Sequence, residues 1–295
     1  MAVLKYRLKG HESFIPREGW LTKGLSAVNR DPQLFSVAAG ADALGVGTNM
    51  AKSIRFWLKT AGLMKESTAY GATLTDLGRA IYENDPYLED IFSLWILHIN
   101  IVSNFSQATS WNVFFNSMTV TSFKREEMIA TMTDLLYEKT REEKLSDRSI
   151  RDDCTAILSM YAVDREKTKD PEDKKDSPFT ALGLIYPEGR LYERRQPDAS
   201  TVDPMVIMFI LSRVFSGQKD KSSVKSILID DIINSDNMPG KIMDMNRIMI
   251  NDCLDKLQDL GYIIVNRTAG LDIVYQNKEI SPEQVVLDYY NRSLS

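Results

Sequence analysis

Leu44–Met64 reads LGVGTNMAKSIRFWLKTAGLM, and its only charged residues, Lys52, Arg55 and Lys59, are all cations. The chain around it is acidic, with 36 Lys and Arg against 41 Asp and Glu and a formal charge of −5. Gly45 and Gly47 bracket Val46 in a tight turn, and Thr48 or Asn49 is placed to cap a helix. That helix runs from about Met50 to Ala61. Ala51, Ile54 and Leu58 share one face, a buried stripe, while Lys52, Arg55 and Lys59 share another. Gly62 ends the helix. LMKESTAYGATLT then gives two short extended runs about a polar turn containing glycine, which is a β-hairpin pattern, and LTDLGRAIYEN returns to helical spacing.

Upstream, PREGWLTKGLSAV sets Trp20, Leu21, Leu25 and Val28 on one apolar stripe, and SVAAGADALGV forms a short helix. Helix, short turn, amphipathic helix, hairpin, helix is the order of a winged helix-turn-helix, whose second turn-linked helix enters the major groove of DNA. A solvated helix face usually mixes signs, and this one does not. The expected DNA-binding residues are Thr48, Asn49, Lys52, Ser53, Arg55 and Lys59. Total charge speaks to solubility rather than recognition, so this local face carries the DNA reading.

The rest of the chain reads as mainly α with small β wings. No Lys or Arg occurs from Leu88 to Phe123, a stretch dense in Phe92, Trp95, Phe105, Trp111, Phe114 and Phe115. It forms two buried helices, and KREEMIATMTDLLYEK and DRSIRDDCTAILSMYAV add two amphipathic ones. DREKTKDPEDKKDSP, Asp164–Pro178, has too many charges to bury a core and is a solvated loop or linker. SPFTALGLIYPEGRLYERR gives strands turning at PEG, and VDPMVIMFILSRVF is a buried helix. SVKSILIDDIINS, MNRIMINDCLDKLQDLGY and IIVNRTAGLDIVY then repeat the order helix, helix, hairpin, before a last helix opened by Ser281, Pro282 and Gln284. The expected organisation is a winged helix-turn-helix over 1–85, a helical hub over 86–163, a charged linker over 164–178 and a winged-helix-like domain over 179–295. The second helix of that last unit mixes Asp244, Asp252, Asp255 and Asp259 with Arg247 and Lys256, a face that phosphates repel. It suits packing or protein partners.

Two further segments carry reactive residue types. In GHESFIPREGWLTKG, His11 and Glu12 suit acid–base work, and Arg17 and Lys23 suit a phosphate; alternatively, the charges cap the first helix while Phe14 and Trp20 anchor the loop. In NDPYLED, the carboxylates of Asp85, Glu89 and Asp90 suit Mg²⁺, or instead cap and complement the next helix end. His98 sits among apolar residues, as a satisfied core histidine does. With two cysteines, two histidines and no CxxC, neither a structural zinc site nor a Cys/His nucleophile pair is expected, and Cys154 and Cys253 read as buried free thiols of a reducing cytoplasm. The N-terminus has no apolar core like that of a signal peptide, and Ile91–Val102 is too short to span a bilayer. The expectation is a cytoplasmic protein with no membrane partner. No P-loop, GxGxxG after a strand, GxSxG or HExxH is present, so no organic cofactor is expected.

GHESFIPREGWLTKG, LGVGTNMAKSIRFWLKTAGLM, LTDLGRAI, DPYLEDIFSLWILH, SWNVFFN, SPFTALGLI and TAGLDIVY occur in that order from about residue 10 to residue 290. Together they resemble a bacterial and archaeal family of unknown-function proteins that includes SspB, the nicking subunit of single-stranded DNA phosphorothioation systems. The chain departs from the family pattern at ILHINIV, where the resemblance implies a second aromatic after the His and this sequence has none. The resemblance implies double-stranded DNA as ligand, and sulfur-transfer and ATPase subunits of a modification complex as partners. Sulfur there replaces a non-bridging phosphate oxygen, and a nick opens the backbone for the exchange. Two functions of different classes stay open. One is a Mg²⁺-assisted nickase, with Glu12, Arg17 and Lys23 catalytic and Asp85, Glu89 and Asp90 holding metal. The other is a non-catalytic adaptor that brings the modification enzymes to DNA. Composition and spacing leave the oligomeric state open.

Overall fold

Trp20, Leu21, Leu25 and Val28 recur at helical spacing, and all four are buried in α1 (Trp20–Arg30). The computed structural model to which this helix belongs describes residues 5–35, 40–163, 177–218, 224–268, 270 and 272–293. It is mainly helical with small antiparallel sheets, and it divides into two compact units, Met1–Arg195 and Gln196–Ser295. The charged segment expected to be a linker lies, over 164–176, outside the described residues.

In the first unit, α2 (Gly40–Leu44) leads into α3 (Thr48–Thr60), with Ala51, Ile54, Trp57 and Leu58 buried. Thr48 is already helical and the N-cap is Gly47 with no side-chain bond, so neither Thr48 nor Asn49 caps. Gly62 takes φ 73°, donating its N–H to Lys59 O at 3.1 Å, while Leu63 donates to Leu58 O at 2.9 Å. These bonds satisfy the last helical carbonyls and turn the chain sharply into a hairpin. Strand β1 (Met64–Ser67) pairs antiparallel with β2 (Gly71–Leu74), Met64 opposite Leu74 and Ser67 opposite Gly71. Thr75 caps α4 (Asp76–Asn84), its Oγ1 accepting the Gly78 N–H at 2.9 Å. A Cβ on Gly78 would lie 1.9 Å from Leu63 O, so only glycine lets α4 rest against the hairpin's entry.

The hub follows: α5 (Ile91–Ser103), α6 (Thr109–Ser117), the short β3 (Ser122–Phe123), α7 (Arg125–Thr140) and α8 (Asp147–Tyr161). Trp95, Trp111, Phe114, Phe115 and Tyr161 are buried within it. His98 is a satisfied core histidine, its Nδ1 2.9 Å from the Tyr161 hydroxyl. β4 (Ile185–Glu188) and β5 (Leu191–Arg194) form the expected hairpin, but β5 also pairs with β3, giving the order β3-β5-β4. Arg194 is buried at its end, donating to Phe114 O and Met118 O at 3.1 and 2.8 Å. That long-range pairing ties residues 185–194 to the hub.

In the second unit, α9 (Pro204–Gly217) is followed by β6 (Ser226–Leu228), α10 (Ile229–Asn234), α11 (Pro239–Ile242) and α12 (Arg247–Asp259). Then come β7 (Ile263–Asn266), β8 (Ile273–Gln276) and α13 (Pro282–Ser293), which packs on α9. The sequence reads SVKSILIDDIINS as helix, yet Ser226–Leu228 is a strand. It pairs with Ile273–Tyr275, completing the order β6-β8-β7, and these long-range bonds override local spacing. Among the described residues no helix is long and apolar enough to cross a membrane.

Candidate nucleic-acid interface

From Ala51 to Ala61, α3 exposes only Lys52, Arg55 and Lys59; every other residue there is buried. The reason is packing on two sides. Ile54 and Leu58 meet α1, where a Cβ on Gly24 would lie under 3 Å from either. On another side Trp57 lies 5.2 Å from Trp111, ring centre to ring centre, and donates Nε1–H to Phe14 O at 2.9 Å. What remains is a narrow strip of cations, continued at the helix start by exposed Thr48 and Asn49. Ser53 does not belong to it. It is buried, and its hydroxyl donates to Phe14 O at 3.1 Å, so the expected DNA contact has no surface to make it.

The strip holds one feature absent from the Leu44–Met64 window. Glu66, on β1, meets Arg55 Nε at 2.5 Å and Nη2 at 2.9 Å, while Lys59 Nζ reaches the second of its oxygens at 2.8 Å. Partial burial pushes the Glu66 carboxyl up, but the bonds and charges of Arg55 and Lys59 outweigh it and hold it below the usual glutamate value. The hydrogen bond from Glu66 raises Arg55 in turn. Lys52 makes no ion pair among the described residues. Arg55, Lys59, Glu66, Phe35, Ser67 and Thr68 line a cleft of about 340 Å³, and Tyr70 at the hairpin turn is 74% exposed. Spacing along one helix reveals the cations but not the strand residue that meets them.

The Gly10–Gly24 loop proves to be an anchored one. His11 is buried with Nε2 2.9 Å from Asp153 Oδ1, which also accepts the Lys9 N–H at 2.9 Å; Ser110 donates to Oδ2 at 2.6 Å. Lys9, Glu12 and Ser13 take left-handed φ of 55°, 52° and 66°, a conformation non-glycine residues hold only when tied down on both sides. Phe14 O, bonded by Ser53 and Trp57, is the second tie.

Of the expected catalytic and metal residues, the structure brings together Arg17 and Glu89. With Glu18, Tyr87 and Ser177 they line a cleft of about 540 Å³, where the Arg17 guanidinium lies 5.2 Å from the Trp20 ring centre. Glu12 and Lys23 are not among its lining residues. Asp85 is buried, and its carboxylate accepts the N–H groups of Glu89 and Asp90, at 3.0 and 3.2 Å, and the Ser93 hydroxyl at 2.5 Å. Asp90 caps α5 through the Phe92 N–H at 2.9 Å. These two carboxylates shape the entry to α5. Among the described residues no group of three or more His, Cys, Asp or Glu is arranged to hold a metal ion.

A family model described as a protein of unknown function (DUF4007) matches residues 8–290. Solved structures share the fold, among them two of SspB. The magnesium ion-bound SspB crystal structure has a TM-score of 0.83 and 23% identity, over 97% of this chain and 87% of that one. A further SspB crystal structure has a TM-score of 0.81 at the same identity and coverage. No protein of curated function matches.

Proposed function

The chain belongs to the DUF4007 family, and from that premise we propose that it binds duplex DNA through a winged helix-turn-helix over residues 1–85, with α3 as the recognition helix and β1–β2 as the wing. The observation that carries this reading is the surface of α3. A helix buried at every position from Ala51 to Ala61 except three cations offers phosphate contacts and little else. Thr48 and Asn49 stand at its N-terminal end, the part of a recognition helix that meets base edges. We read the binding as one step of DNA phosphorothioate modification in the cytoplasm, on the resemblance to the SspB-containing family. Sulfur-transfer and ATPase subunits are the partners, and the second unit is a winged-helix-like module for protein contact.

Within that reading the adaptor role is the better supported. A nickase needs a water or metal held against the scissile phosphate and the developing charge stabilised. Asp85 and Asp90 are committed to backbone N–H groups, and Glu12 and Lys23 do not join Arg17 in its cleft. Among the described residues Asp85, Glu89 and Asp90 do not gather about one point as a group of three that could hold a metal ion. The nickase reading keeps one supporting observation, that Arg17, Glu18 and Glu89 line one cleft.

The test is a supercoiled plasmid incubated with the full chain, with and without its partner proteins, across Mg²⁺ and Mn²⁺ titrations. The adaptor role predicts a retarded but fully supercoiled plasmid throughout. Conversion to open circle that is lost with Arg17→Ala or Glu89→Gln, while retardation persists, supports the nickase instead.

A further inference from the structure

Reading α3 as the DNA-facing helix leaves Glu66 to be explained. Its carboxylate receives the Arg55 fork through Nε and Nη2 and the Lys59 ammonium on one of the same oxygens. The carboxylate is the tucked member, its side chain 16% exposed, while the cations are 44% and 40% exposed. An arginine fork engages a carboxylate and a phosphate in the same two-point way. Partly exposed ion pairs of this kind add little stability, so exchanging one partner for another costs little. The cleft beside the pair has room for an anion, with the Ser67 and Thr68 side chains on its wall and Phe35 beside the Arg55 guanidinium, whose Cζ lies 6.0 Å from that ring's centre.

We propose that Glu66 stands in for a DNA phosphate in the free protein, and that binding exchanges the Glu66 pairs of Arg55 and Lys59 for pairs with the DNA backbone. This rests on the DNA reading of α3. In the free chain Lys52 is then the cation that attracts DNA, and Arg55 and Lys59 join only where a phosphate outcompetes an in-chain carboxylate. Glu66 thereby lowers affinity for any duplex and leaves more of the recognition to contacts at the helix start.

The experiment measures binding of a random-sequence duplex to the full chain by fluorescence anisotropy over a range of salt. Glu66→Gln should tighten binding by at least about threefold at low salt and steepen the log–log salt slope by about one unit, the size of one added phosphate contact. The gain should vanish when Glu66→Gln is combined with Arg55→Ala and Lys59→Ala. Glu83→Gln, an equal charge change at an exposed residue of α4, should give clearly less. Glu66→Ala repeats the test if the Gln variant melts early. The exchange is overturned if Glu66→Gln binds like wild type or more weakly, if its gain survives loss of Arg55 and Lys59, or if Glu83→Gln matches it. Failure of the underlying reading looks different: Lys52→Ala would leave affinity unchanged in both the wild-type and Glu66→Gln backgrounds.

Discussion

Helices α3 and α12 are each 13 residues long, and they end alike. Gly62 and Gly261 take φ of 73° and 77°, and the next residues, Leu63 and Tyr262, donate N–H to Leu58 O and Leu257 O at 2.9 and 3.0 Å. Each helix then enters a hairpin of four-residue strands. Even the tie from helix to first strand recurs: Lys59 meets Glu66 by charge, and seven residues apart again, Gln258 Oε1 accepts the Val265 N–H at 2.7 Å. The exposed residues differ. On α12, Arg247 is paired to Asp230 and Asp272, Asp255 receives Arg267 from beyond the hairpin's first strand, and Ile248 is 72% exposed. The shared backbone device therefore says nothing about DNA; the side chains each helix leaves uncovered decide it.

The largest expected effect tests whether the two devices are equally structural. Trp57→Ala removes a fully buried ring from α3 and should cost about 3–5 kcal/mol in urea unfolding, and Leu254→Ala in α12 about 2–5 kcal/mol. A cost under about 1 kcal/mol at either site would break the comparison at its base. Next comes thiol chemistry. Cys253 lies on the buried stripe of α12, and burial first, then the nearby Asp252, pushes its thiol up to about 11; burial lifts Cys154 to about 12. Neither should react with Ellman's reagent at pH 8 until the chain is unfolded; prompt labelling of Cys253 alone would show that α12 packs more loosely than α8, which holds Cys154. A smaller effect concerns α12 itself. Arg247→Ala with Lys256→Ala should change duplex affinity by less than about twofold, because those cations sit among carboxylates. A tenfold loss would make the two helices functional equals. The smallest effect is in pH. A depressed Glu66 carboxyl contributes stability that is present above the ordinary glutamate range and lost as pH falls through its lowered value. With solvent screening this is under about 1 kcal/mol. Wild type should therefore exceed Glu66→Ala slightly at pH 7 and converge with it at low pH; a gap that widens on acidification would reverse the sign.

Much of this was legible in the sequence, because it depends on local spacing. The buried stripe of α3, the glycine that ends it and the hairpin after it follow from residues within one or two turns of each other. So does the hub, where a long stretch without cations can only be interior. What local spacing missed was set by partners distant in the chain. Ser226–Leu228 is a strand because β8 lies beside it, and residues 185–194 join the hub because β5 pairs with β3. The candidate site divides the same way. Lys52, Arg55 and Lys59 were visible as a face, whereas Glu66 reaches them only through the hairpin's fold, and Ser53 is lost to the surface because Phe14 O lies against it. Asp85 looked like a ligand in composition and is a loop-ordering carboxylate in three dimensions.

The central claim, that α3 and not α12 carries the DNA affinity, is tested most directly by the salt dependence of duplex binding in the full chain with Lys52, Arg55 and Lys59 all changed to Ala. Loss of up to three phosphate contacts should weaken binding by at least about tenfold at low salt and flatten the log–log slope by up to about three units. A triple variant that binds as tightly as wild type, with the same slope, would contradict it.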